Sequence, residues 1–106
     1  MAVIDSGLFT ENPEIAENVW EDKNGYRGYN AVTDTHDVTP TTSHGGNVAG
    51  IIAGVAGQNP ACIGVAPKSK IMPIKVSKYM SAISMTSVVQ GINYAVGNGA
   101  DIISMS

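Results

Sequence analysis

Ile71-Met72-Pro73-Ile74-Lys75-Val76, followed by Val88-Val89-Gln90-Gly91-Ile92-Asn93-Tyr94-Ala95-Val96 and then by Ile102-Ile103-Ser104-Met105, is the stretch whose reading decides the fold. The two outer runs are short, apolar and rich in β-branched residues, which suits strands. In the middle run Val88, Val89, Ile92, Ala95 and Val96 fall on one face at a period of 3.6, and Asn98-Gly99 supplies a left-handed stop. The pattern predicts strand, helix, strand. Pro73 lacks the N–H that a ladder requires, so the first of these strands is expected at a sheet edge or at an irregularity.

Upstream the same alternation continues. Ala2-Val3-Ile4 is a short buried strand delivered into a loop at Asp5-Ser6-Gly7. Val48, Ile51, Ile52 and Val55 recur at three- and four-residue steps, with small Ala49, Gly50, Ala53 and Gly54 between them, and predict a second helix. Each interior glycine costs a helix about 1 kcal/mol relative to alanine, so a helix that keeps them is expected to let another backbone come very near. Residues 10–42 are polar, apart from one apolar patch at 26–32 read as a further strand, and His36 is expected to be solvated there. A turn is expected across 57–62. Strands and helices that alternate through short joins predict parallel β-α-β units, an α/β sheet covered on both faces. The five methionines are scattered and are read as fillers of core gaps.

Composition limits the function classes. The 106 residues are 43% hydrophobic and 14% charged, the makeup of one globular unit. Six Lys and Arg residues are dispersed under a net charge of −3, with no cluster to neutralise a phosphate backbone, so nucleic acid is not an expected partner. No apolar run approaches the roughly 20 residues that span a bilayer, and no membrane partner is expected. The single cysteine, Cys62, cannot form an internal disulfide and is read as a buried, inert thiol. Gly45-Gly46 before a helix is not followed by the lysine of a phosphate-binding loop, which argues against nucleotide.

The candidate chemistry lies where these elements end. In open α/β sheets reactive groups gather beyond the carboxyl ends of the strands, and Asp5 closes the first strand there. His44 opens the glycine-rich helix behind Ser43, so its imidazole can hang over the same crevice. A carboxylate that accepts the Nδ1 proton of a histidine fixes the tautomer, frees Nε2 to take a proton and stabilises the imidazolium that results. Asp5 and His44 are therefore expected to form the acid and base of a triad. On its own, an aspartate before Ser-Gly is also a common turn former.

Four windows then carry a resemblance. Val3-Ile4-Asp5-Ser6-Gly7 with Asn12-Pro13-Glu14-Ile15 resembles the acid motif of the subtilases, the subtilisin-like serine proteases. Ser43-His44-Gly45-Gly46-Asn47-Val48-Ala49-Gly50 is similar to their H-G-T-H-V-A-G, with Gly46 and Asn47 in place of threonine and a second histidine. Gly64-Val65-Ala66-Pro67 leading to Ile74-Lys75-Val76, and Asn93-Tyr94-Ala95 through Asn98-Gly99-Ala100-Asp101-Ile102-Ile103-Ser104-Met105-Ser106, resemble two further family stretches.

The resemblance spans residues 1–106 and implies the N-terminal part of a three-layer, parallel-sheet subtilisin-like catalytic domain. It implies Asp5 and His44 as catalytic acid and base, and a polypeptide substrate held along Ser81, Ala82 and Ile83, with Ser106 starting the strand that lines the pocket. It implies a structural calcium near Glu14 and Asn59, none being needed for the chemistry, and export by family habit. The family's nucleophile motif G-T-S-M-A and its oxyanion-donating asparagine are not matched by any serine or asparagine of this sequence. The chain is thus expected to be a fragment, starting inside its first strand, inactive alone, and prone to self-associate or to need the missing C-terminal portion. Two other readings stay open: a non-catalytic subtilase-like scaffold or binding segment, suggested by Gly46 and Asn47, and a flavodoxin-like phosphoacceptor at Asp5, which lacks the acidic pair such sites use.

Overall fold

The computed structural model describes residues 1–55, 63–78 and 83–105. Four strands, β1 Ala2–Asp5, β2 Tyr29–Asn30, β3 Met72–Lys75 and β4 Ile103–Met105, form one sheet in the order β2-β3-β1-β4. Every ladder in it is parallel. Parallel neighbours cannot be joined by a tight turn, and the chain returns between them through α1, His44–Ala53, and α2, Met85–Gly97.

Side chains along a strand alternate between faces, and the core divides accordingly. Ala2, Ile4, Met72, Ile74 and Val76 pack beneath Ala95, Val88 and Ile92 of α2. Val3 and Ile71 join Leu8, Ile15 and Val19 beneath Ala49, Ala53, Val48 and Ile52 of α1. The sheet is therefore the middle of three layers, as expected. Fully buried branched side chains such as Ile71 and Ile74 each contribute about 1.5–3 kcal/mol through removal of apolar surface from water. No helix among the described residues is long and apolar enough to cross a membrane.

Helix α2 ends at the expected stop and also has an N-terminal cap that the sequence reading did not single out. The Ser84 hydroxyl accepts from the Ser87 N–H at 3.1 Å, capping the N-terminus. At the other end Gly99 takes φ +83°, and the N–H groups of Gly99 and Ala100 return to the carbonyls of Val96 and Ala95, the double closure of a Schellman turn. The buried stripe, however, is Val88, Gly91, Ile92 and Ala95. Val89 and Val96, expected on that face, are 49% and 65% exposed. Gly91 explains the difference: a Cβ there would press on Ile74 and Val76, so the helix seats its narrowest line on the sheet and turns the two valines outward.

Other expectations are refined or corrected. The second strand is confined to Tyr29–Asn30 rather than 26–32, because the chain turns back at Thr35 to pair with Asn30. Pro73 meets the second of its two expected settings, an irregularity rather than an edge, since β3 lies between β1 and β2. The Met72 and Val76 N–H groups donate to β1, so the Pro73 nitrogen faces the other side. There Val19 bridges Ile71 and β2 pairs only from Ile74, and the missing donor falls in the gap.

Helix α1 stops at Ala53, leaving Val55 buried just beyond it. Its last carbonyls at Ile51 and Ile52 accept from Val65 and Ala66, so the Gly-Val-Ala-Pro stretch caps this helix from outside. The expected close backbone approach occurs at Gly45 and, across the helix end, at Gly64; Gly50 faces open space. Last, His36 is not merely solvated. Its ring stacks on Tyr26 at 3.8 Å, and its Nδ1 lies 2.9 Å from the Gly28 carbonyl oxygen. Cys62 lies outside the described residues.

Candidate active site

Asp5 ends β1, two residues after Val3, and so projects from the α1 face of the sheet. His44 is the first residue of α1. Their side chains meet: His44 Nδ1 is 2.8 Å from Asp5 Oδ1 and 2.9 Å from Oδ2. The Asp5 side chain is only 2% exposed and that of His44 is 41% exposed, so the carboxylate is enclosed while the ring reaches the surface. An ionised carboxylate can only accept, which assigns the proton to Nδ1 and leaves the Nε2 lone pair available. The Ser6 N–H also donates to Asp5 Oδ1 at 2.7 Å and holds the carboxylate in place.

The Asp-Ser-Gly turn does more than present the acid. Ser6 is fully buried, its hydroxyl 2.8 Å from that of Thr42 and accepting from the Gly45 N–H at 3.3 Å. The Thr42 hydroxyl in turn lies 3.4 Å from the His44 nitrogen, a long contact from N–H to oxygen. Two orphan N–H groups at the start of α1 thus face hydroxyls from Ser6 and Thr42. Ser43 occupies the cap position but makes no capping bond, because its backbone is already helical. Gly7, at φ +92°, completes the turn: its carbonyl oxygen lies directly against Gly45, where any Cβ would collide with it. Acid and base are therefore fixed by one contact between a strand end and a helix start, in which Gly45 has to be small.

Beside this contact, Lys75 pairs in register with Asp5 on the neighbouring strand and is 7% exposed. Its Nζ donates to the Thr39 carbonyl at 2.7 Å. Burial pushes this ammonium below the usual lysine range, the Asp37 charge opposes the shift and the Lys78 charge adds to it. Asp37 accepts from the Thr39 hydroxyl at 2.6 Å and from the Thr39 N–H at 3.0 Å, and these bonds, the hydroxyl's first, hold its carboxyl below the usual aspartate range.

Of the other residues picked out from the sequence, Ile83 shares a cleft with Asp5 but not with His44. It bridges Ser77 in antiparallel fashion and shares with Asp5, Val76 and Met105 an apolar cleft of about 50 Å³. Ser81, Ala82, Asn59 and Ser106 lie outside the described residues. Glu14 is half-buried beside a groove of about 920 Å³ that runs along α1 past Phe9, Gly46, Gly50 and Ile51. Its backbone is engaged by Asn12 and Val55, but among the described residues no group of three or more His, Cys, Asp or Glu side chains surrounds a common point that could hold a metal. Gly46 and Asn47, the departures from the family pattern, do not touch the pair: a side chain at 46 would meet nothing within 4 Å, and Asn47 is exposed. Sequence reasoning missed Ser6, Thr42 and Lys75. Only the placement of Ser6 beside Asp5 hinted at its part, since hydroxyls that cap across the fold leave no periodic signal.

The sequence model described as the subtilase family matches residues 1–106. The chain is 30% identical over 106 residues to thermitase of Thermoactinomyces vulgaris and 32% identical over 107 residues to a subtilisin of Bacillus pumilus. All of this chain and 36% of each relative are covered. Among solved structures, fervidolysin from Fervidobacterium pennivorans, described as a keratinolytic enzyme related to subtilisin, superposes with a TM-score of 0.74 at 27% identity, over 96% of this chain and 16% of that one. The chain thus spans only part of the curated relatives it matches, about a third of the length of these two and as little as 11% of a cell wall-associated protease of Bacillus subtilis.

Proposed function

This chain belongs to the subtilase family of serine proteases, and on that footing we propose that it supplies the acid and base of an endopeptidase triad whose serine and oxyanion donor come from outside its 106 residues. The observation that carries the reading is the double approach of the enclosed Asp5 carboxylate to His44 Nδ1, at 2.8 and 2.9 Å, with Nε2 making no hydrogen bond among the described residues. In the proposed reaction Nε2 takes the proton of a serine hydroxyl as that oxygen attacks the peptide carbonyl, and Asp5 stabilises the imidazolium so formed. His44 then returns the proton to the departing amine. Nothing in this sequence provides the nucleophile in its family context, so the isolated chain is inactive in this reading.

The polypeptide substrate is proposed to lie along Ile83 and its neighbours Ser81 and Ala82 by strand addition, with Ser106 at the pocket. Ile83 is already within the cleft that contains Asp5, which supports this placement. A structural calcium at Glu14 and Asn59 rests on the resemblance alone, and no catalytic step uses it. The isolated chain is further proposed to self-associate or to take up a complementing segment, because among the described residues β4 pairs only with β1 and Ile102 and Met105 are more than half exposed.

Hydrolysis of a fluorogenic peptide tests the reading. The chain alone should show no turnover sensitive to phenylmethylsulfonyl fluoride. A longer polypeptide that contains it and a downstream G-T-S-M-A should be active, and should lose about 10⁴-fold or more in kcat on His44→Ala. Serine-dependent turnover by the chain alone, or full activity of the longer form after His44→Ala, would overturn it. A longer polypeptide with no such motif and no activity would instead favour the non-catalytic scaffold.

A further inference from the structure

We propose that Lys75 is a positioning residue for the Asp5–His44 pair, acting through the Thr39 carbonyl on the loop that carries Thr42. This rests on the functional reading only for its purpose, since the mechanical claim concerns the pair itself.

Lysine is among the residues least often buried, and an enclosed ammonium needs a partner that repays its lost hydration. Lys75 sits on β3 in register with Asp5, and the alternation of side chains places both on the α1 face. A neighbouring carboxylate would be the simplest partner, yet the ammonium goes elsewhere. The lysine stem runs against Gly7, its Cδ 3.3 Å from where a Cβ on that residue would stand, and the head donates to the Thr39 carbonyl at 2.7 Å. Asp5 is left to His44 and the Ser6 N–H.

Thr39 is held from both sides. Asp37 binds its N–H and hydroxyl, and Lys75 binds its carbonyl. Two residues further on, the Thr41 hydroxyl donates to the Lys78 carbonyl, tying the same loop to the segment that follows β3. The next residue is Thr42, whose hydroxyl meets both Ser6 and the nitrogen of His44. A short path of contacts and peptide bonds thus runs from the buried ammonium through Thr39, Thr41 and Thr42 to the first turn of α1. Without the ammonium, the Thr39 carbonyl loses its buried donor and the loop regains the freedom to carry Thr42 away from Ser6. The Nδ1 contact to Asp5, which depends on where the helix begins, would then lengthen.

The test is nuclear magnetic resonance on the 106-residue chain with Lys75→Met, Lys75→Arg and Thr42→Val. Two signals of His44 are read: the low-field Nδ1 proton and the rate at which that proton exchanges with water. Lys75→Met should weaken or abolish the low-field signal and speed the exchange, because a longer contact to the Asp5 carboxylate protects the proton less. Lys75→Arg, which keeps a donor at the end of a long stem, should restore most of both. Thr42→Val should reproduce the Lys75→Met change with the lysine in place, which also decides the matter if Lys75→Met does not fold. A folded Lys75→Met with both signals unchanged, or a folded Thr42→Val with both unchanged, would overturn the proposal. Neither readout depends on a nucleophile, so failure here leaves the protease reading standing and is told apart from its failure.

Discussion

Three glycines of α1 should respond to the same substitution with opposite signs. Gly45→Ala places a methyl group against the Gly7 carbonyl, far inside contact distance. That carbonyl cannot retreat, because Gly7 is itself pressed against the Val38 carbonyl, from which it is separated by no side chain, and Leu8 donates to the same oxygen at 3.0 Å. The start of the helix must move instead. Overpacking of this kind costs about 1–3 kcal/mol. Weakening the Gly45 N–H bond to Ser6 adds about 1 kcal/mol, of the size of a lost helix cap. The gain in helix propensity returns at most about 1 kcal/mol. The net expectation is a loss of about 1–3 kcal/mol. For Gly46→Ala and Gly50→Ala nothing lies within 4 Å of the new methyl, and propensity alone should stabilise each by about 0.5–1 kcal/mol. Urea unfolding followed by far-ultraviolet circular dichroism gives the three midpoints. If Gly45→Ala is as stable as Gly46→Ala, the tight contact between the Asp-Ser-Gly turn and the helix start is wrong.

Other outcomes follow from single contacts. Tyr94 has a buried hydroxyl with no hydrogen-bond partner among the described residues, so Tyr94→Phe should raise stability by about 1 kcal/mol, as read from the urea midpoint. Burial also pushes the Tyr94 phenol above the ordinary tyrosine value, and a bond to Asp34 does the same for Tyr29; absorbance titration should show late ionisation at both, and only the Tyr29 component should survive in Tyr94→Phe. Asp37 is held below its ordinary value, so its contribution to stability is present above the unfolded aspartate pKa and is lost as pH falls through the folded one. Asp37→Asn should flatten the acid limb of the stability profile, and an unchanged limb would contradict the role of the Thr39 bonds. Ser6→Ala should cost about 1–2 kcal/mol by removing the hydroxyl that faces Gly45 N–H and Thr42, again by urea unfolding.

Much of the architecture was legible because it follows from pattern. The apolar runs at Ala2-Val3-Ile4 and Ile102-Ile103-Ser104-Met105 and the 3.6-residue spacing around Val88 and Ile92 state their structure locally. Asp5 and His44 stood out because each closes or opens such an element. What stayed hidden depends on contacts between distant parts of the chain. The outward turn of Val89 and Val96 is dictated by Gly91 seating on Ile74 and Val76, which α2 alone does not reveal. The shortness of β2 comes from the return of Thr35 onto Asn30. The hydroxyls that face the first N–H groups of α1 come from Thr42 and, from 39 residues upstream of Gly45, from Ser6, a pairing that no local pattern announces. Pro73 was tolerable inside the sheet only because pairing on one side of β3 skips a place, a fact of register rather than of composition.

The central claim is that Asp5 fixes the tautomer of His44 so that Nε2 is the free base. The ¹⁵N chemical shifts of the His44 imidazole at a pH where the ring is neutral report this directly, since a protonated and an unprotonated ring nitrogen resonate far apart. The account predicts a protonated Nδ1 and an unprotonated Nε2, with that preference lost in Asp5→Ala. A ring protonated chiefly at Nε2 in the unaltered chain would contradict it.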